Sequence, residues 1–296
     1  MNKRKKKNSK NSKKRSLIIL LQIGLVIACV RLATELGGME RENTQCDTTT
    51  EQEYVSPGRY GDLLDVKTNP ALPAVKKKYK GMDVSFNPKT HIPNWVAWEL
   101  TAEETQGKEP RTNKFSNDET VEGCADTWDY SYSGYDRGHM APAGDMKWDR
   151  KAMEETFFLT NICPQVKALN VGAWRTLEEK CRQWAQQEGR IYIVCGPVIG
   201  KKPMEYIGDS RVWVPDSFFK VIIAPYANPP RGIGFLMPNS DVKGGMQSCV
   251  VSIDSVEKVT GHDFFHALPD NLEEQLESQH KFSQWTYSRK KKKDKE

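Results

Sequence analysis

The chain has 296 residues, 38% of them hydrophobic, with eight Trp, ten Tyr and ten Phe, enough for one large packed domain or two small ones. Its formal charge of +5 sits at the ends, with nine Lys/Arg in residues 1–15 and six in 289–296. Between them 29 basic residues face 37 acidic ones, about −8, which excludes a polyanion-binding field over the whole surface and leaves only a local basic patch.

The run MNKRKKKNSKNSKKR is basic, and SLIILLQIGLVIACV (16–30) carries no charge. Together they have the n-region and h-region of an export signal. Three outcomes stay open. The run is short against the ~20 residues of a bilayer span, but Leu32 and Ala33 extend it if Arg31 snorkels, giving an uncleaved anchor. Cys29 in VIAC fits a lipidation site, and cleavage with plain secretion is the third outcome. In each case residues 1–34 are a targeting segment. The positive-inside rule keeps the basic run in the cytoplasm and the rest outside it, membrane-anchored or secreted. Residues 35–59 are polar and Thr/Glu-rich and read as a linker, 60–285 as the folded body, and 286–296 as a basic solvated tail.

Six cysteines follow Cys29: Cys46, Cys124, Cys163, Cys181, Cys195 and Cys249. Export permits disulfides, but six cysteines allow about fifteen pairings and the sequence does not choose. Cys195, in RIYIVCGP, reads as a small apolar strand residue. No C-x-x-C spacing supports a cysteine zinc site.

Within the body, NWVAWEL (94–100) reads as a strand and 101–121 as a polar loop. TFFLTNICPQ (156–165) starts as an apolar strand and stops at Pro164. LNVGAWRTLEEKCRQWAQQEG (169–189) reads as a helix with Ala173, Trp174, Leu177, Cys181, Trp184 and Ala185 on its apolar side. Asn170 would cap it and Gly189 would end it. RIYIVCGPVI, FFKVIIAPY and GIGFLMPN are continuous apolar runs, hence buried strands; SVEKVTGHDFFHAL gives a short helix and loop. Strands and helices mix without regular alternation, which implies an α+β fold with a largely antiparallel sheet.

The stretch DRGHMAPAGD (136–145) concentrates chemistry. Pro142 bars a helix interior, so His139 sits on a shaped loop or strand end. Its imidazole, titrating near ~6.5, supplies a neutral general base. The adjacent Arg137 can grip a phosphate. About thirty residues on, Asn170 and Glu178 lie two turns apart on one helix, offset by roughly 80° beyond full turns. An amide oxygen beside a carboxylate, completed by water, suits Mg²⁺. From spacing alone Asn170 is equally a simple cap. His91, His262, His266 and His280 read as ordinary surface or core residues.

DRGHMAPAGD, FFLTNICPQVKALNVGAWRTLE, NWVAWELT and VTGHDFFHALPD together resemble the DNA/RNA non-specific endonuclease family over roughly 60–270. The resemblance implies a ββα-metal fold, a central mainly antiparallel sheet flanked by helices. It implies Mg²⁺-dependent cleavage of DNA and RNA to 5′-phosphate ends, with Mn²⁺ as a substitute ion. On the matching positions His139 is the general base, Asn170 the metal ligand, and Glu178 the acid that organises water around the metal. Asn161 is a polar residue near base and metal. Arg137 supports the site or contacts phosphate, and Arg111 matches an upstream arginine that stabilises the transition state. Some family members dimerise, so a homodimer is among the expectations. The alternative is a catalytically silent nucleic-acid-binding protein on the same scaffold.

Overall fold

The computed structural model describes residues 60–286. The expected targeting segment (1–34), linker (35–59) and, after Thr286, basic tail lie outside these residues, as do Cys29 and Cys46. Among the described residues no helix is long and apolar enough to cross a membrane.

A seven-stranded antiparallel sheet forms the centre, in the order β1-β2-β3-β6-β9-β10-β11. Its members are β1 (Val75–Lys78), β2 (Asp83–Asn87), β3 (Ile92–Thr101), β6 (Arg190–Pro197), β9 (Ser217–Ala224), β10 (Arg231–Pro238) and β11 (Val250–Val251). Two ribbons stand apart: β4 (Asp136–His139) with β5 (Ile162–Gln165), and β7 (Glu205–Ile207) with β8 (Val212–Val214). The α+β expectation with an antiparallel sheet therefore holds.

The central strands are largely apolar because both faces are covered. On β3, Val96, Trp98 and Leu100 join one core cluster while Trp95 and Ala97 join another. On β9, Phe218 and Ile222 point to the first face, and Phe219, Val221 and Ile223 to the second. This is the period-two alternation of a strand. Helix α1 (Arg150–Glu155), the β4–β5 ribbon with the residue after β4, and helix α2 (Arg175–Glu188) contribute to the first cluster through Ala152, Ile162, Met140, Leu177, Cys181 and Trp184. Helices α3 (Ile253–Thr260) and α4 (Asp270–Glu277) cover the second face through Ile253, Val256 and Leu276.

Three local expectations change. The strand in 156–165 begins only at Ile162 and includes Pro164, after a 3₁₀ turn at Leu159–Asn161. Proline is tolerated because the β4–β5 ribbon has just two strands, leaving each with a free edge. Asn170 is not the N-cap expected: its φ −56° and ψ −48° are helical, and the helical path begins at Lys167. The chain then passes through a π-turn at Asn170–Trp174 and kinks at Gly172 (φ −102°, ψ −113°) before α2. The ideal-helix offset of about 80° between Asn170 and Glu178 does not apply across that kink. Gly189 does end the helix, at φ +79°, where glycine carries no Cβ penalty. All five described cysteines (Cys124, Cys163, Cys181, Cys195 and Cys249) are free thiols. Cys195 is buried in β6, as expected, and its thiol donates to the Met140 carbonyl at 3.2 Å.

Candidate active site

The ribbon positions the histidine. β4 and β5 pair from Asp136↔Gln165 to His139↔Ile162, so His139 is the last residue of a strand. Gly138 has no room for a side chain, since a Cβ there would overlap Gln165. After His139 the chain turns through Pro142 into a 3₁₀ turn at Ala143–Asp145. Asn161 locks that turn from behind. Its Oδ1 accepts from Ala141 N at 2.9 Å, and its Nδ2 donates to the Ala141 and Thr156 carbonyls, both at 2.9 Å. Its amide is fully used on backbone, and it does not line the cavity described below.

The imidazole of His139 is enclosed. It meets Phe157 edge-on at 5.0 Å and Phe115 at 5.4 Å between ring centres. Nε2 is sealed from solvent with no hydrogen-bond partner, whereas Nδ1 is not among the sealed, unpartnered atoms. Burial, and then the Arg111 guanidinium, push the ring's pKa down to about 3. At neutral pH the ring is therefore uncharged and able to accept a proton. Trp174 ties the helical segment to this strand by donating Nε1–H to the His139 carbonyl at 3.1 Å.

Asn170 sits across from it. Its Nδ2 donates to Asp136 Oδ2 at 2.9 Å. An ionised carboxylate only accepts, so the NH₂ end must face Asp136. Oδ1 is left without a hydrogen bond from any described residue. Asp136 therefore fixes which end of the amide is presented, a role that the sequence did not reveal although Asp136 opens the motif.

Beneath these residues lies a charged cluster inside the apolar core. Asp145 is fully buried, accepts from Arg182 Nη1 at 2.8 Å and from Trp98 Nε1 at 3.1 Å. Lys220, also fully buried, has its ammonium 4.5 Å from the Trp174 ring centre and 4.9 Å from that of Trp98. Burial alone would lower its pKa; Cys195, Cys181, Glu178 and Asp145 outweigh that and raise it. Burial pushes Glu178 up to about 7, with Lys220 the strongest opposing influence and Arg182 and Arg111 acting the same way. Lys220 escaped the sequence reading, though a lysine inside FFKVIIA was its visible signal.

One cavity of about 310 Å³ gathers these groups. His139, Arg111, Arg137, Asn170, Glu178 and Arg182 line it, with Arg175 and Glu179 beside them. Four arginines against two glutamates make it a local cationic patch on an acidic body. Arg137 is held by its Nη2 donating to the Thr127 carbonyl at 2.8 Å, and its buried Nε lacks a partner. Arg111 stacks on Phe157 at 4.9 Å and donates Nε–H to Asn113 at 2.6 Å. A larger hollow of about 530 Å³, lined by Trp184, Phe282 and several glutamines, holds neither histidine nor carboxylate, so volume does not select the site. His262 is spent structurally: buried beside Phe219 and Phe264, its Nδ1 accepts from Asn69 N at 2.9 Å.

The donor set fits an oxygen-preferring divalent cation. Asn170 Oδ1 is free of described partners, Glu178 lines the same cavity, and no thiol or second imidazole lines it.

Residues 62–271 match the family model described as DNA/RNA non-specific endonuclease. The human mitochondrial endonuclease G is 33% identical over 207 residues, covering 65% of this chain and 69% of that protein. The zebrafish (Danio rerio) mitochondrial nuclease EXOG is 35% identical over 216 residues, covering 67% of this chain and 63% of that protein. The chain thus spans about two thirds of the length of these relatives. A crystal structure of the EndoG/EndoGI complex superposes with a TM-score of 0.61 at 31% identity, over 67% of this chain and 89% of the matched one.

Proposed function

The chain belongs to the DNA/RNA non-specific endonuclease family and is a nuclease; from that premise we propose that it hydrolyses phosphodiesters in both DNA and RNA at the His139–Asn170 cavity, leaving 5′-phosphate ends. The observation that carries the proposal is the meeting, in one cationic cavity, of an uncharged imidazole with a single amide oxygen aimed by a carboxylate. The ribbon β4–β5 followed by the kinked helix supports a ββα-metal reading, with His139 at the strand end and Asn170 on the helical segment.

The residues divide the work as follows. His139 takes a proton from water at Nδ1, the ring nitrogen not sealed off, and burial keeps the ring uncharged at neutral pH. Arg111, Arg137 and Arg175 bind phosphate oxygens and offset the charge that grows on them. Asn170 Oδ1 would hold a divalent cation, Mg²⁺ or Mn²⁺, with Glu178 orienting water beside it. When bound, that ion supplies neutralisation of charge at the phosphoryl and leaving oxygens. Asp136 orients Asn170, and Asn161 holds the turn that follows His139. Contacts of this kind fall on the backbone of the nucleic acid and not on base edges, so little sequence preference follows. The basic run 1–15 and apolar run 16–30 support a location outside the cytoplasm for this domain.

Incubating the purified protein with plasmid DNA and with structured RNA, in Mg²⁺ or in chelator, tests the reading. Wild type should cut both only with the ion, and His139→Ala should lose about 10²–10⁴-fold in rate with its melting transition retained. A folded His139→Ala that cuts normally would refute the base. Nucleic acid that is held but left uncut by wild type would favour the silent binding protein.

A further inference from the structure

A second cluster of carboxylates lies on the opposite face of the sheet, between α3 and α4. Asp254 and Glu257 are three residues apart on α3 and so share a side of that helix. Glu277 is the last residue of α4. One carboxylate oxygen from each of the three lies within 4.8 Å of the other two. Asp254 is exposed, Glu257 intermediate and Glu277 buried, so the cluster runs from solvent to an enclosed floor.

Glu277 makes this more than an acidic surface. It is only 8% exposed, and its Oε1 is sealed from water with no hydrogen-bond partner. An unpartnered buried carboxylate oxygen is costly. Burial first, and then Glu257, Glu273, Asp254 and Asp263, push its pKa up to about 9. The charges acting most strongly on it are thus all carboxylates. Lys67, on the same side, is committed to Asp263 at 2.8 Å. Glu257 has given Oε1 to the Phe264 amide at 2.8 Å, and it too is pushed up, to about 7, by burial. What is missing at the centre of the three is positive charge.

We propose that Asp254, Glu257 and Glu277 form a calcium-class divalent cation site that staples α3 to α4. Oxygens about 2.3–2.6 Å from a Ca²⁺ ion lie no more than roughly 4.6–5.2 Å apart, and the three carboxylate oxygens, all within 4.8 Å of one another, can reach one such ion together. Mg²⁺, at about 2.0–2.1 Å, asks for a tighter octahedral cage and keeps most of its water. The exposed Asp254 side offers entry and room for completing waters. The site is separated from the cavity of His139 by the sheet itself, so it acts on the stability of the second core cluster and not on the cleavage chemistry.

Calorimetric titration of CaCl₂ into the full chain, paired with thermal melts, tests this. Binding with Kd of about 10⁻⁴–10⁻³ M is expected, with a rise in Tm of roughly 4 °C at ten times Kd. The rise should persist in Asn170→Ala and disappear in Glu277→Gln. Asp254→Asn, at an exposed position, should weaken binding by about tenfold and serves if Glu277→Gln fails to fold. Equal calcium-dependent shifts in wild type and in the Glu277 and Asp254 variants, or no shift at 10 mM Ca²⁺, would overturn the proposal and leave Glu277 and Glu257 as a carboxyl pair sharing a proton.

Discussion

Asp136 offers the sharpest test of how the site is built. Its Oδ2 receives the Asn170 amide at 2.9 Å, and that bond alone decides whether nitrogen or oxygen faces the cavity. In Asp136→Asn the size is kept, but the new amide can donate as well as accept, so Asn170 is free to turn over. A hydrogen bond to a charged group contributes about 1.5–3 kcal/mol, and the lower half applies because Asp136 is only half-buried. Roughly 1.5–2 kcal/mol corresponds to about 10–30-fold, within the range for residues that orient a metal ligand. The assay is plasmid cleavage against Mg²⁺ concentration. The half-saturating Mg²⁺ should rise by that factor, while the rate at saturating ion recovers most of the wild-type value and Tm falls by no more than about 6 °C. An unchanged Mg²⁺ curve would refute the orienting role of Asp136 and, with it, Asn170 as the ligand.

Further outcomes follow from the same geometry. Because burial raises the Glu178 carboxyl to about 7 before an ion binds and Glu178 must be ionised to orient water, activity should fall on the acid side as Glu178 takes up its proton, with a bound divalent cation drawing that limb lower. Lys220→Met removes the strongest influence favouring the ionised form, so the acid limb should move up by about one pH unit, the equivalent of ~1.4 kcal/mol of lost attraction; a pH–rate profile checks both, and a limb that does not move would show Lys220 to be mere packing. Asn161→Ala strands the Ala141 N–H and two carbonyls in the core, costing about 3 kcal/mol and roughly 10 °C of Tm. Activity lost with Tm unchanged would instead assign Asn161 a direct part in the chemistry. Three phosphate contacts from Arg111, Arg137 and Arg175 give a log–log salt slope of about −2.7 for duplex binding, roughly a 40-fold loss between 50 and 200 mM. Filter binding should show it, with Arg111→Ala flattening the slope by about 0.9; a slope near zero would contradict backbone recognition through this patch.

The sequence by itself determined the elements whose signal is local. Continuous apolar runs marked β6, β9 and β10 because strands covered on both faces need no polar alternation. The spacing of Leu177, Cys181, Trp184 and Ala185 marked the buried side of α2, and the DRGH stretch marked the histidine at a strand end. Tertiary structure alone decided what those groups meet. Asp136 finds Asn170 across 34 residues, Trp98 finds Asp145 across 47, and Arg182 finds Asp145 across 37. Lys220 is buried because β9 is central in the sheet, which packs it between Trp98 and Trp174. The kink at Gly172 moved Asn170 off the ideal-helix position that spacing assigned to it. Periodicity reports which side of an element is apolar, but the partner of a charge is fixed by which strands and helices pack together, and that choice is non-local.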